Sequence, residues 1–219
     1  MLRERFLCLH CLSDLPETHF AQLERNPMAD RFNGVMSRHI PHGVEVPYLH
    51  AAALFFYDSE SGYRKIPQAL KYRAALRLGR HFARMLGERL ACSEIFKDTD
   101  AVIPVPLHWT RALKRGYNQA EVIASEVAAA LGAPMVPGVL RRRRRTRSQT
   151  HVAVDEKAAN VSGAFALRKC SGVLPYRHVL LVDDTFTTGS TLAECAATLL
   201  PALPPQSRIS VATLAYVGH

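Results

Sequence analysis

The residues carrying most chemistry run from Val179 to Thr191: V-L-L-V-D-D-T-F-T-T-G-S-T. Four apolar residues lead into two adjacent carboxylates, and a turn rich in hydroxyls and glycine follows. The turn Thr187-Thr188-Gly189-Ser190-Thr191 offers backbone N–H groups and up to four hydroxyls at what reads as a helix start. A helix N-terminus carries about half a positive charge, which suits a phosphate. Gly189 lets the backbone approach the anion closely. Asp183 and Asp184 would repel a phosphate; as acceptors they suit sugar hydroxyls or a magnesium ion. A phosphate and a sugar diol side by side make a phosphoribosyl group. The competing reading is an ordinary helix capped by Asp, Ser or Thr, but two adjacent acids at a strand end are an odd choice for capping alone.

Positioning such a site takes strands that end beside helix starts, and the flanking sequence alternates accordingly. Val179 to Val182 reads as a strand buried on both faces, followed by a helix over 190–200. Upstream, Ala51 to Tyr57 and Asp100 to Val105 read as strands, and Ile66 to Leu90 has apolar residues at helical spacing, with a break near Tyr72 to Ala75. Asn118 to Leu131 is an Ala-rich helix closed by Gly132. Short strands are expected within 134–140 and over 163–167, and a last one over 208–215. The segment from Arg141 to about Val161 has no clean period and reads as a long loop; residues 21–48 read as irregular. Strands alternating with helices imply an α/β fold, a mostly parallel sheet with helices on both faces, where ligands bind beyond the carboxyl ends of the strands.

The 219 residues, 48% hydrophobic and 21% charged, are enough for one such domain and a small appendage. We divide the chain into an N-terminal appendage, 1–48, and a main domain, 49–219. No apolar run of about eighteen residues appears, so no membrane helix is expected, and the N-terminus does not read as a signal peptide. Five cysteines without a disulfide pattern fit a reducing compartment, the cytoplasm. Arg141 to Arg145 with Arg147 supply six charges within seven residues, so without them the net charge of +9 falls to +3. That local run is either a polyanion-binding or nucleic-acid-binding patch or a solvated loop.

Residues 179–191 resemble the phosphoribosyl-diphosphate (PRPP) fingerprint of type I phosphoribosyltransferases. The wider chain resembles the ComF family, through Leu70-Lys71-Tyr72, Pro104-Val105-Pro106-Leu107, Arg115-Gly116-Tyr117-Asn118-Gln119, Thr146 with Gln149-Thr150, and Asn160-Val161 with Gly163 and Phe165. The resemblance implies a type I phosphoribosyltransferase fold in which Asp183 and Asp184, the catalytic pair, hold the ribose hydroxyls. Thr185, Thr187, Thr188, Gly189, Ser190 and Thr191 would hold the 5′-phosphate. Leu107, His108, Arg111 and Arg115 would face the pyrophosphate. The segment 141–161, with Arg145, Arg147, Gln149 and Lys157, would be a mobile loop closing over the site. Enzymes of this type displace pyrophosphate from PRPP with a nitrogen acceptor, with magnesium (Mg2+) neutralising the leaving group and the closed loop excluding water. A homodimer is usual for the fold. Family members tend to carry basic residues where this chain has Val152 and Val154, and arginine at Lys157, which weakens the case for rapid turnover.

Cys8-Leu9-His10-Cys11 resembles the second half of the family's N-terminal zinc knuckle. A structural zinc needs four ligands, usually two such pairs, so Cys8 and Cys11 are half a site: either the site has decayed or the chain begins late. Two functions therefore stand side by side. One is a PRPP-dependent transferase with an unidentified nitrogen acceptor. The other is a non-catalytic accessory protein of competence and DNA uptake that binds single-stranded DNA through its arginines.

Overall fold

The computed structural model describes residues 10, 13–40, 46–57, 66, 76–107, 116–143, 163–168 and 173–218. Its centre is a four-stranded sheet of β1 (Ala51–Phe56), β2 (Ala101–Pro104), β5 (His178–Phe186) and β6 (Arg208–Tyr216), ordered β1-β6-β5-β2 with every pair parallel. The strands are apolar runs because both faces are covered: Val179 to Val182 are fully buried, as are Val211, Ala212, Leu214 and Ala215. Parallel neighbours need crossovers, which the helices supply. Four helices are described: α1 (Pro27–Met36), α2 (Leu76–Ala91), α3 (Gln119–Leu131) and α4 (Ser190–Leu199). Helices α2 and α3 pack on each other and on the sheet, as do α1 and α4. The mixed architecture with a parallel central sheet flanked by helices is the one expected. A second sheet, β3 (Leu140–Arg142) paired antiparallel with β4 (Phe165–Leu167), packs on α4.

Four expectations need correction. Residues 27–36 are a helix, not irregular chain. Asn26 caps it, its side chain accepting from Ala29 N at 2.9 Å, and Pro27 takes the first turn; Met28, Ala29, Phe32 and Met36 join the common core. The strand expected to stop at Val182 runs four residues further, to Phe186. The loop expected from Arg141 begins as strand β3, and within 134–139 there is only a bridge of Met135 to Val102. The helix read to residue 200 ends at Leu199 and tightens into a 3-10 turn over Leu200–Ala202. By contrast Gly132 closes α3 as expected, in the left-handed conformation at φ 67°, while Asn118, read as the first helical residue, is its N-cap.

At the carboxyl end of the sheet three strands finish in a row of aromatic rings. Phe56, Tyr216 and Phe186 are register partners across β1, β6 and β5, with ring centroids 6.1 Å and 5.7 Å apart in turn. Phe20 packs edge-on against Phe56 and Tyr216, and Phe32 from α1 reaches Phe186.

Candidate functional site

The extra length of β5 makes the site. Strand β2 stops at Pro104, opposite Val182, so Asp183 to Phe186 overhang it while remaining paired with β6 as far as Phe186↔Tyr216. A notch opens beyond the carboxyl end of β2, where open parallel sheets take ligands. Asp183, Asp184 and Thr185 stand there half-buried. Thr185, expected in the phosphate turn, is strand, so the turn itself narrows to Thr187, Thr188 and Gly189.

That turn is shaped by Gly189. It adopts φ 80°, and a Cβ on it would lie 2.6 Å from Cζ of Phe186; both the backbone angle and the ring beneath require glycine. Helix α4 starts immediately after it, with Gly189 as an N-cap that has no side chain to offer and Ser190 N–H donating weakly to Thr188 Oγ1 at 3.4 Å; first-turn N–H groups of this kind suit an anion. Thr188 and Ser190 hydroxyls lie 3.0 Å apart, and Thr187 is exposed. A concavity of about 40 Å³ is lined by Asp183, Thr185 and the residues from Phe186 to Leu192. Acid and helix start thus share one hollow.

Asp183 is pushed up to about 8, by burial first and then by the Asp184 charge; the Asp184 N–H, which donates to Asp183 Oδ1 at 2.8 Å, and the Arg142 charge pull the other way. Arg142 comes from β3, its guanidinium 5.2 Å over the ring of Phe165. Sequence reasoning missed this contact, because Arg142 sits inside a run that reads as uniformly basic. The second sheet is fastened to α4 by Glu194, which accepts from Gly163 N–H and lies 3.7 Å from His39. The donor set suits magnesium: hard oxygens only, with two carboxylates whose repulsion a cation would relieve.

Of the remaining expected site residues, Leu107 is half-buried just after β2. Cys8, Cys11, His108, Arg111, Arg115, Arg145, Arg147, Gln149 and Lys157 lie outside the described residues. Among the described residues no cluster of three or more His, Cys, Asp or Glu could hold a metal, and no helix is long and apolar enough to cross a membrane. Asn118 of the R-G-Y-N-Q stretch ties the start of α3 to the end of β2. Its Nδ2 donates to Val105 O at 3.0 Å, and its Oδ1 accepts from Ala120 N. Its neighbour Gln119 is buried, with Nε2 lacking a hydrogen-bond partner.

A second polar cluster, also unforeseen, lies at the opposite end of the strands. His178 Nδ1 is 2.8 Å from Asp98 and Nε2 is 2.9 Å from Ser210 Oγ, while Arg208 pairs with Asp98. The order Asp–His–Ser imitates a nucleophilic triad, but Ser210 is only 1% exposed, so the cluster serves packing. Burial holds His178 below its ordinary value, neutral at pH 7.

No family model matches the chain. It is 38% identical to competence protein F of Haemophilus influenzae over 100 residues, covering 46% of this chain and 44% of that protein. Over that stretch the chain is similar to competence protein F, in keeping with the ComF resemblance. DNA utilization protein YhgH of Salmonella typhi is 36% identical, and that of Escherichia coli strain K12 34%, each over 103 residues. The ComF match spans less than half the length of each of these curated relatives, 43% in the case of the YhgH proteins.

Proposed function

We propose that the chain is a PRPP-binding protein of the type I phosphoribosyltransferase fold, using Asp183 and Asp184 for the ribose hydroxyls and the turn 187–191 for the 5′-phosphate. One observation carries this reading: Asp183 of the acid pair and the start of α4 line a single hollow beyond the carboxyl end of the sheet. Phosphate and diol acceptors at this spacing have no common use in capping. Asp183 and Asp184 would bind and orient the sugar, leaving C1 open to a nitrogen acceptor. Magnesium, when bound, supplies charge that neutralises the departing pyrophosphate. The test is calorimetric titration with PRPP and magnesium, followed by a screen of nitrogenous acceptors for pyrophosphate release. Saturable one-to-one binding that Asp184→Asn weakens is expected; absence of PRPP binding at every pH from about 6 to 9.5 overturns the reading.

A second reading, service in DNA uptake, has support from the names of the relatives, a competence protein and DNA utilization proteins. Arg141 and Arg143, exposed on either side of Arg142, provide charge for single strands. The two readings are compatible, because the arginines' exposed face and the acid pair are different surfaces.

A further inference from the structure

A second cavity, of about 940 Å³, opens where β6 begins at Arg208, at the end of the strands away from the acid pair. Its volume lies within the roughly 300–1,000 Å³ of small-molecule sites. Ile40 and Val46 enter it from the chain after α1, Ala197 from α4, and Leu200 from the turn that ends α4. Four prolines join them: Pro47, Pro201, Pro204 and Pro205. Proline has a fixed φ and no N–H, so this lining is stiff, apolar and poor in backbone donors.

The two chargeable residues of the lining are already matched. His39 lies 3.7 Å from Glu194, and Arg208 pairs with Asp98. Among the described residues an entering ion would find no free counter-charge, and unpaired charges are costly to bury. The polar capacity left is mainly for donating: Arg208 meets Asp98 and His178 through Nη2, and a guanidinium has further N–H groups. Gln206 is the irregular member of the lining. It adopts φ 63°, in a turn closed by Ser207 N–H donating to Pro204 O at 3.2 Å. Pro205 suits the position before it, but glycine is the usual residue at its own position, because a Cβ strains the left-handed backbone. The glutamine held there brings an amide to the edge of an apolar cavity, and strain of this kind collects at functional sites.

We propose that this cavity is a second ligand site, for a neutral, largely apolar small molecule whose carbonyl oxygen accepts a hydrogen bond from the amide of Gln206. Volume and proline walls fit an apolar body, the matched charges exclude an ion, and the donors call for an acceptor. The inference is independent of the phosphoribosyl reading. Ser190 to Leu192 line the hollow of the acid pair and Ala197 lines this cavity, so the two sites lie at opposite ends of α4.

The experiment is fluorescence titration of the full chain with prodan, a neutral naphthalene carrying one ketone, whose emission moves to the blue in apolar surroundings. Wild type should bind it saturably, one to one. Ala197→Phe, which fills the cavity from α4, should abolish saturable binding. Gln206→Gly keeps the turn and removes the amide. Its binding should weaken about 2-fold to 12-fold, the worth of one neutral hydrogen bond. Its thermal midpoint should stay at or above wild type, because glycine relieves the left-handed backbone. The same ring system with a carboxylate in place of the ketone, 6-dimethylamino-2-naphthoate, should bind about 10-fold or more weakly than prodan. Amide NMR spectra of wild type need no variant: prodan should shift Ala197, Leu200 and Gln206 and leave Thr188 and Gly189 in place. Where circular dichroism shows Ala197→Phe unfolded, Gln206→Gly and the NMR map decide. Absent prodan binding, unchanged affinity in folded Ala197→Phe or in Gln206→Gly, tighter binding of the carboxylate, or shifts confined to other residues each overturn the proposal.

Discussion

Asp183→Asn separates what the acid pair does for binding from what it costs the fold. The asparagine keeps an oxygen to accept from Asp184 N–H, the 2.8 Å bond seen here, so the strand end should survive. Asp183 stands at about 8 in the folded protein, raised by burial and then by Asp184, against about 3.9 in an unfolded chain. Between those values the folded state holds the extra proton. Stability from this group is therefore complete below about pH 4 and is lost as pH rises through about 8. Each pH unit is worth ~1.4 kcal/mol; with the charge shared across Asp184 and relieved by Arg142, the loss by pH 9 should be about 2–4 kcal/mol. The asparagine variant does not suffer it. In urea denaturation the variant should match wild type at pH 5 and exceed it by about 2–4 kcal/mol at pH 9. PRPP affinity should meanwhile fall by about 10-fold to 150-fold, the worth of a hydrogen bond to a charged acceptor. A variant no more stable than wild type at pH 9, or one with unchanged PRPP affinity, refutes the reasoning.

His178 has the opposite sign: buried and neutral in the fold, it takes a proton on unfolding below about pH 6.5, so stability should fall as pH drops from 7 to 5, and His178→Gln should flatten that limb of the denaturation profile. Gly189→Ala meets both a left-handed backbone and the Phe186 ring; a thermal-shift loss corresponding to about 1–3 kcal/mol is expected, together with weaker phosphate binding by calorimetry. Gln119→Met replaces a buried amide whose Nε2 lacks a partner with an apolar side chain of similar size, and chemical denaturation should show no loss of stability. Replacing Arg141, Arg143 and Arg144 with Ser should flatten the log–log salt dependence of single-strand binding by roughly 0.7 for each phosphate no longer neutralised. Pyrophosphate release with common purine or pyrimidine bases should be slow or absent, because Val152 and Val154 offer no charge to a leaving group; steady-state rates near ~10 per second would contradict this.

The site's core was legible because its signals are local and unambiguous. Four buried apolar residues, two acids and a Thr/Gly turn admit few backbones, and Gly132 is a cap residue whose preference is intrinsic. The length of β5 was not legible, since Asp183 to Phe186 have no strand pattern of their own; pairing with β6 holds them extended. Helix α1 announced itself with Asn26-Pro27, yet Asp30, Arg31, Asn33 and Gly34 diluted its apolar face below recognition. Strand β3 was hidden for another reason. Its half-buried position is filled by an arginine seated on the ring of Phe165, a residue distant in sequence.

The aromatic row beneath the phosphate turn sets a height. Gly189 rests against Phe186, which abuts Tyr216, which abuts Phe56 at the sheet's edge. The hollow that would hold the anion therefore has a floor of fixed thickness, one ring deep. A homologue retaining every acid and hydroxyl but carrying a small aliphatic residue at the position of Phe186 would have the same donors on a sunken floor. Position 186 thus belongs with the acids and hydroxyls when such chains are sorted into those that can grip a phosphate and those that only resemble them.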